Sequence, residues 1–172
     1  MNYSKALNEC IESAYMVAGH FGARYLESWH LLIAMSNHSY SVAGATLNDY
    51  PYEMDRLEEV ALELTETDYS QDETFTELPF SHRLEVLFAE AEYVASVVHA
   101  KVLGTEHVLY AILHDGNALA TRILERAGFS YEDKKDQVKI AALRRNLEER
   151  AGWTREDLKA LRQRHRTGAD KQ

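Results

Sequence analysis

Two histidines, His30 and His107, stand 77 positions apart in matching surroundings. An imidazole can ligate a metal, carry a proton or accept a hydrogen bond. Glu27-Ser28-Trp29-His30 has the Glu-x-x-His spacing of di-iron helical bundles. The second copy has Gly104 where that site would need another carboxylate, and no His-Glu-x-x-His occurs. The pattern favours a structural role, with a ring nitrogen bonded to backbone at a helix start, and no metal site. Cys10 falls on an apolar stripe and reads as core rather than as a nucleophile. No Gly-x-x-x-x-Gly-Lys-Ser/Thr is present, so the chain is expected not to be an ATPase by that route, nor otherwise an enzyme. Tyr15, Tyr25, Tyr50, Tyr52, Tyr93 and Tyr110 fit either a peptide-binding surface or half-buried packing.

The elements that must position these residues are helical. Residues 4–20 place Ala6, Leu7, Cys10, Ile11, Ala14, Val17 and Ala18 on one stripe, with Ser4 as cap and Gly19 and Gly22 as stops. Short helices follow at 29–36, capped by Ser28, and at 40–48; a turn at Asp49-Tyr50-Pro51 leads to a fourth at 53–64. Residues 65–79 contain five acids, no Lys or Arg and no helical stripe, and read as a linker. Then the pattern repeats, with helices expected at 81–98, 105–113, 117–127 and 131–150. From position 3 to 47 the 77-residue spacing needs no gap, and 12 of the 45 pairs are identical. Average composition would give only about 6–7% identity, so the duplication is real. Beyond it the register slips by two residues, Tyr131-Glu132 matching Tyr52-Glu53. Residues 154–166 form a charged helix with only Leu158 and Leu161 as apolar face, which needs a partner. Trp153 either staples onto Leu158 or packs on a neighbour.

Composition bounds the rest. Residues 1–133 carry 7 Lys and Arg against 22 Asp and Glu, a net −15, whereas residues 134–172 carry +6. An acidic body argues against nucleic-acid binding. No apolar run approaches the roughly 18 residues of a membrane span, and no signal peptide is visible. One cysteine fits a reducing cytoplasm, the expected location.

Two tandem four-helix repeats, with Gly104-Thr105-Glu106-His107-Val108-Leu109 leading into a helix, resemble the Clp N-terminal repeat domain of the AAA+ unfoldases. The first copy, Glu27-Ser28-Trp29-His30-Leu31-Leu32, keeps the histidine and a leucine but not Gly-Thr-Glu. The resemblance covers about residues 3–145 and is greatest to the ClpC type of Gram-positive bacteria. It implies an all-α domain of two pseudo-symmetric halves: repeat 1 at about 3–64, the acidic linker 65–79 and repeat 2 at about 80–143. Residues 146–172 would be a basic helical connector towards ATPase modules that bind ATP and Mg. The implied function is recognition of protein substrates and MecA-type adaptors for a ring that feeds the ClpP protease. The isolated domain is expected to be monomeric.

The family resemblance further implies phosphoarginine recognition, with the Glu of the Gly-Thr-Glu-His loop on the guanidinium. Such a site needs a carboxylate for the cation and donors for the phosphate, which helix N-termini supply. Glu106 is the candidate carboxylate, and the N-termini at Ser4, Ser81 and Thr105 are the candidate anion sites. Trp29 stands where Glu106 stands in the second copy; it can stack on a guanidinium but cannot pair with it bidentately. One competent site in the second repeat and an altered one in the first is therefore expected. The alternatives are a stand-alone helical regulator of a Clp-like partner and a helical metal-site protein using both histidines.

Overall fold

The computed structural model describes residues 1–49, 54–66, 77–115, 118–129 and 138–170. Nine α-helices are described: α1 (Lys5–His20), α2 (Ser28–Ser36), α3 (Val42–Leu47), α4 (Met54–Thr65), α5 (His82–Val97), α6 (Thr105–His114), α7 (Leu119–Leu124), α8 (Val138–Ala151) and α9 (Arg155–Asp170). No strand occurs among the described residues, and no described helix is long and apolar enough to cross a membrane. The helical stretches read from sequence are found within a few residues of their expected ends. The exceptions are 117–127, shortened to α7 because a wide turn with Gly128 at φ 124° takes over at Glu125–Phe129, and α9, which runs on to Asp170; the first part of the helix expected at 131–150 lies outside the described residues. The expected turn at Tyr50-Pro51, most of the linker and the Tyr131-Glu132 slip lie outside the described residues.

Helices α2 and α6 are the centre. From Trp29 to Ser36 every residue of α2 is buried, and α6 has only Glu106 and His114 less than buried. A helix apolar all round must be surrounded, and α1 covers α2 as α5 covers α6. The halves also exchange their third helices. Helix α3 packs on α6 and α8, and its counterpart α7 packs on α2 and α4. The core is therefore shared between the two repeats.

Two parallel β-bridges pin the halves together with the same 77-residue symmetry. Tyr3 pairs with Leu103, and Leu26 with Phe80. Ser4 N–H donates to Leu103 O (2.8 Å) and Leu103 N–H to Asn2 O (2.8 Å); Ser81 N–H donates to Leu26 O (3.0 Å) and Leu26 N–H to Pro79 O (2.9 Å). Each bridge sets the start of one long helix beside the loop that starts the other half's central helix.

The last two helices pack on both halves, α8 on α3 and α6 and α9 on α5. Leu143, Leu147 and Leu161 are buried. Trp153, in the turn between α8 and α9, lies nearly parallel to His107 (ring centres 6.0 Å, 14°) and edge-on to Tyr110 (5.1 Å, 81°). Burial beside Glu148 pushes the Tyr110 hydroxyl up to about 12.

Candidate functional site

The two histidines do the same local work. Glu27 N–H donates to His30 Nδ1 (2.9 Å), and Gly104 N–H donates to His107 Nδ1 (2.8 Å). Each ring thus accepts from the residue preceding its helix, at the third helical position, where Glu or Gln usually serves. The structural role expected from sequence is found. The cap of α2 differs from the expectation: the helix begins at Ser28, and His30 rather than the Ser28 hydroxyl satisfies the preceding amide. An accepting Nδ1 fixes the proton on Nε2. His30 is fully buried, its Nε2 has no hydrogen-bond partner among the described residues, and desolvation lowers its pKa to about 3. His107 is lowered too, by burial, but Glu106 opposes the shift, with Oε1 3.7 Å from Nε2. Among the described residues no group of three His, Cys, Asp or Glu could hold a metal ion. Cys10 is fully buried, and burial, with Glu9 nearby, pushes its thiol up to about 12.

The remaining sequence candidates fall into two places, each built from both halves. At the first, Ser4 caps α1 (Leu7 N–H to Oγ, 3.1 Å) beside the Leu103–Glu106 loop. Glu106 folds back over Gly104, so closely that a Cβ there would strike its carboxylate. Thr105 is buried, and its hydroxyl accepts from Ala43 N–H of α3 (3.2 Å). At the second place, Ser81 caps α5 (Leu84 N–H to Oγ, 3.1 Å) beside the Leu26–Trp29 loop. Glu106 is thus brought to Ser4 of the first repeat, and Trp29 to Ser81 of the second. Trp29 is nearly buried, against Phe21 (4.7 Å, 89°) and His30 (3.9 Å).

The second place holds an open groove of about 370 Å³, which sequence reasoning missed. Trp29, Val86, Leu87, Ala111, Ala118 and Leu119 form its apolar surface, and Glu27, Glu90, Asp115, His82 and Arg83 its polar edge. At the pseudo-equivalent place four side chains are joined in a hydrogen-bonded chain. Ser13 Oγ is hydrogen-bonded to His38 Nε2 (2.8 Å), His38 Nδ1 to Tyr40 OH (2.6 Å), and Tyr40 donates to Glu9. With the phenol proton given to Glu9, the Tyr40 oxygen accepts from His38 Nδ1–H. That bond to Glu9 pushes the exposed Tyr40 hydroxyl up to about 12. Glu9, Ser13 and His38 occupy the positions that Val86, Glu90 and Asp115 occupy around the groove. The signal was present in the sequence as an apolar outer face on α5: Val86 and Ala89 stand where α1 has Glu9 and Glu12.

The profile of the Clp repeat (R) N-terminal domain family matches residues 2–127. No curated protein matches. Among solved structures, the chain is similar to the N-terminal domain of the chaperone ClpD from Arabidopsis thaliana, with TM-score 0.67, 18% identity, and 88% of this chain and 95% of that one covered. It is also similar to the Hsp104 N-terminal domain from Candida albicans, with TM-score 0.66, 18% identity and coverage of 91% and 96%. A ClpV N-domain in complex with a VipB peptide matches with TM-score 0.58, 18% identity and coverage of 84% and 88%.

Proposed function

This chain belongs to the Clp repeat N-terminal domain family, and we propose that it is the non-catalytic recognition domain of a Clp AAA+ unfoldase. It docks adaptors of the MecA type and client proteins, and the ring to which it is joined binds ATP and Mg and delivers the clients to ClpP in the cytoplasm. The observation that carries this reading is the open groove at Trp29 on a domain whose fold is similar to that of a ClpV N-domain solved in complex with a VipB peptide. The histidines support it from the other side, since each spends Nδ1 on a backbone amide and neither is poised as a general base.

Arginine-phosphorylated clients are part of the proposal. Glu106 would take the guanidinium, and the first-turn amides of α1, beside Ser4, would take the phosphate. Trp29 and the α5 start at Ser81 form the unequal second place, where stacking replaces the ion pair. Immobilised wild-type chain is expected to retain a MecA-type adaptor or client proteins. Free phosphoarginine is expected to bind at one site and to weaken on Glu106→Ala. Retention of nothing would sink the recognition reading. Two equal sites, or affinity unchanged by Glu106→Ala, would sink the phosphoarginine assignment alone.

A further inference from the structure

We propose that the Trp29 groove is the docking site for a basic peptide segment that inserts an apolar residue between α2 and α5. The inference rests on the recognition reading above and names its partner chemistry. Three observations point to this occupant.

The first is shape. The groove is open at the surface, and its volume lies at the small end of the roughly 300–1,000 Å³ of ligand sites, which suits one anchoring side chain on a longer chain. The second is an apolar surface reaching out of the groove. Val86 lines it and is 56% exposed, and Tyr93, two turns on along α5, is 39% exposed. Val86 stands where α1 has Glu9, whereas Tyr93 stands where α1 has the exposed Met16, so the apolar gain over the twin lies at Val86, on the groove itself. A partner laid along α5 would remove both side chains from water.

The third is charge. Glu27, Glu90 and Asp115 edge the groove against a single Arg83, and residues 1–133 as a whole carry −15. Acidic segments and nucleic acid are repelled by that field, whereas Lys or Arg flanking the anchor is drawn in. Their aliphatic stems can also lie on the Trp29 ring while the charge reaches the carboxylates. At the twin positions the outward side chains are instead tied to one another in the Ser13–His38–Tyr40–Glu9 chain.

The test uses the whole chain and two acetylated, amidated peptides, Gly-Ser-Lys-Leu-Leu-Arg-Gly-Ser and its charge-reversed form Gly-Ser-Glu-Leu-Leu-Asp-Gly-Ser. The basic peptide is expected to bind saturably and to shift the Trp29 indole resonance, and the reversed one to bind at least about tenfold more weakly. Val86→Lys, at an exposed position, is expected to weaken the basic peptide about tenfold without changing the thermal melt. Asp115→Asn is expected to weaken it about threefold and flatten its salt dependence. Equal affinity for the two peptides, or indifference to Val86→Lys, overturns the proposal. So does concentration-dependent self-association abolished by Val86→Lys, which would make a second copy the occupant. If adaptors or clients are still retained by Val86→Lys as by wild type, recognition stands and this groove is not its seat.

Discussion

At Trp29 the molecule has an open groove with an apolar floor, and at the matching place beside Cys10 the outward side chains are hydrogen-bonded to one another. The two places share a backbone frame down to the reciprocal β-bridges and the histidine caps. They differ in the side chains turned outward. Val86 against Glu9, Glu90 against Ser13 and Asp115 against His38 give one frame an exposed apolar residue with carboxylates at its edge, and the other a set of side chains hydrogen-bonded to one another. Duplication thus preserved the residues that hold the helices and released the residues that face a partner.

The aromatic cover of the two histidines shows the same division. The first half covers His30 from inside, with Phe21 and Trp29. The second half has Val98 and Glu106 at those positions and receives Trp153 from the turn after α8. Trp153→Ala should therefore have the largest effect, a loss of about 3 kcal/mol in denaturant unfolding from the apolar area and cavity. Hydrogen exchange should rise first around α6 and α9, with α2 protected as before. Equal loosening of α2 and α6 would show that the extension does not serve the second half in particular.

Acid should separate the two histidines next. His30 is held neutral, with its folded pKa lowered to about 3 from an ordinary 6.5. The unfolded chain takes up that proton first, so the stability is full above pH 6.5 and shrinks as the pH falls towards 3. At roughly 1.4 kcal/mol per pH unit, the loss by pH 5 is about 2 kcal/mol. His30→Gln keeps an acceptor for Glu27 N–H but does not titrate. The stability difference between wild type and this variant should move in the variant's favour by that amount between pH 7 and 5. A difference independent of pH would refute the buried-neutral assignment.

The frame was legible in the sequence because it rests on local rules. The stripe from Leu7 to Ala18, the Ser4 and Ser81 caps and the 77-residue spacing each follow from helix geometry, and all are found. The structural role of His30 and His107 was legible too, since a carboxylate partner for a metal was missing. The groove was not. It is made by α2, α5, α6 and α7 from both halves, and no local pattern shows which residues meet when third helices are exchanged. Pairing candidates within a repeat likewise hid that Ser4 is bonded to Leu103 in the loop leading to Glu106, and Ser81 to Leu26 in the loop leading to Trp29.

A smaller effect compares the ends of α1 and α5. Gly22 has φ 64°, and His99, its counterpart, φ 59°. Ala23 N–H returns to Ala18 O (3.0 Å) and Ala100 N–H to Ala95 O (2.8 Å), so both helices end in the same left-handed cap. Only glycine adopts it without crowding its Cβ. His99→Gly should stabilise the protein by about 1 kcal/mol, and Gly22→Ala should destabilise it by about as much. A thermal melt of the two variants checks both signs.

The smallest change is expected where the two halves differ most in chemistry. Glu106→Gln leaves the His107 cap intact, because that bond uses Nδ1 and the carboxylate faces Nε2. The glutamate is partly exposed, so its removal should alter stability at neutral pH by no more than about 0.5 kcal/mol. What should move is the titration of His107. Burial lowers its pKa and Glu106 raises it; without the charge only burial remains, and the pKa falls further, towards the behaviour of His30. In NMR titrations the His107 resonance of the variant should shift at lower pH than in wild type, with His30 unchanged. A His107 titration unaffected by Glu106→Gln would mean that the carboxylate points elsewhere in solution. The contrast between Trp29 and Glu106 would then lie in packing alone and not in charge.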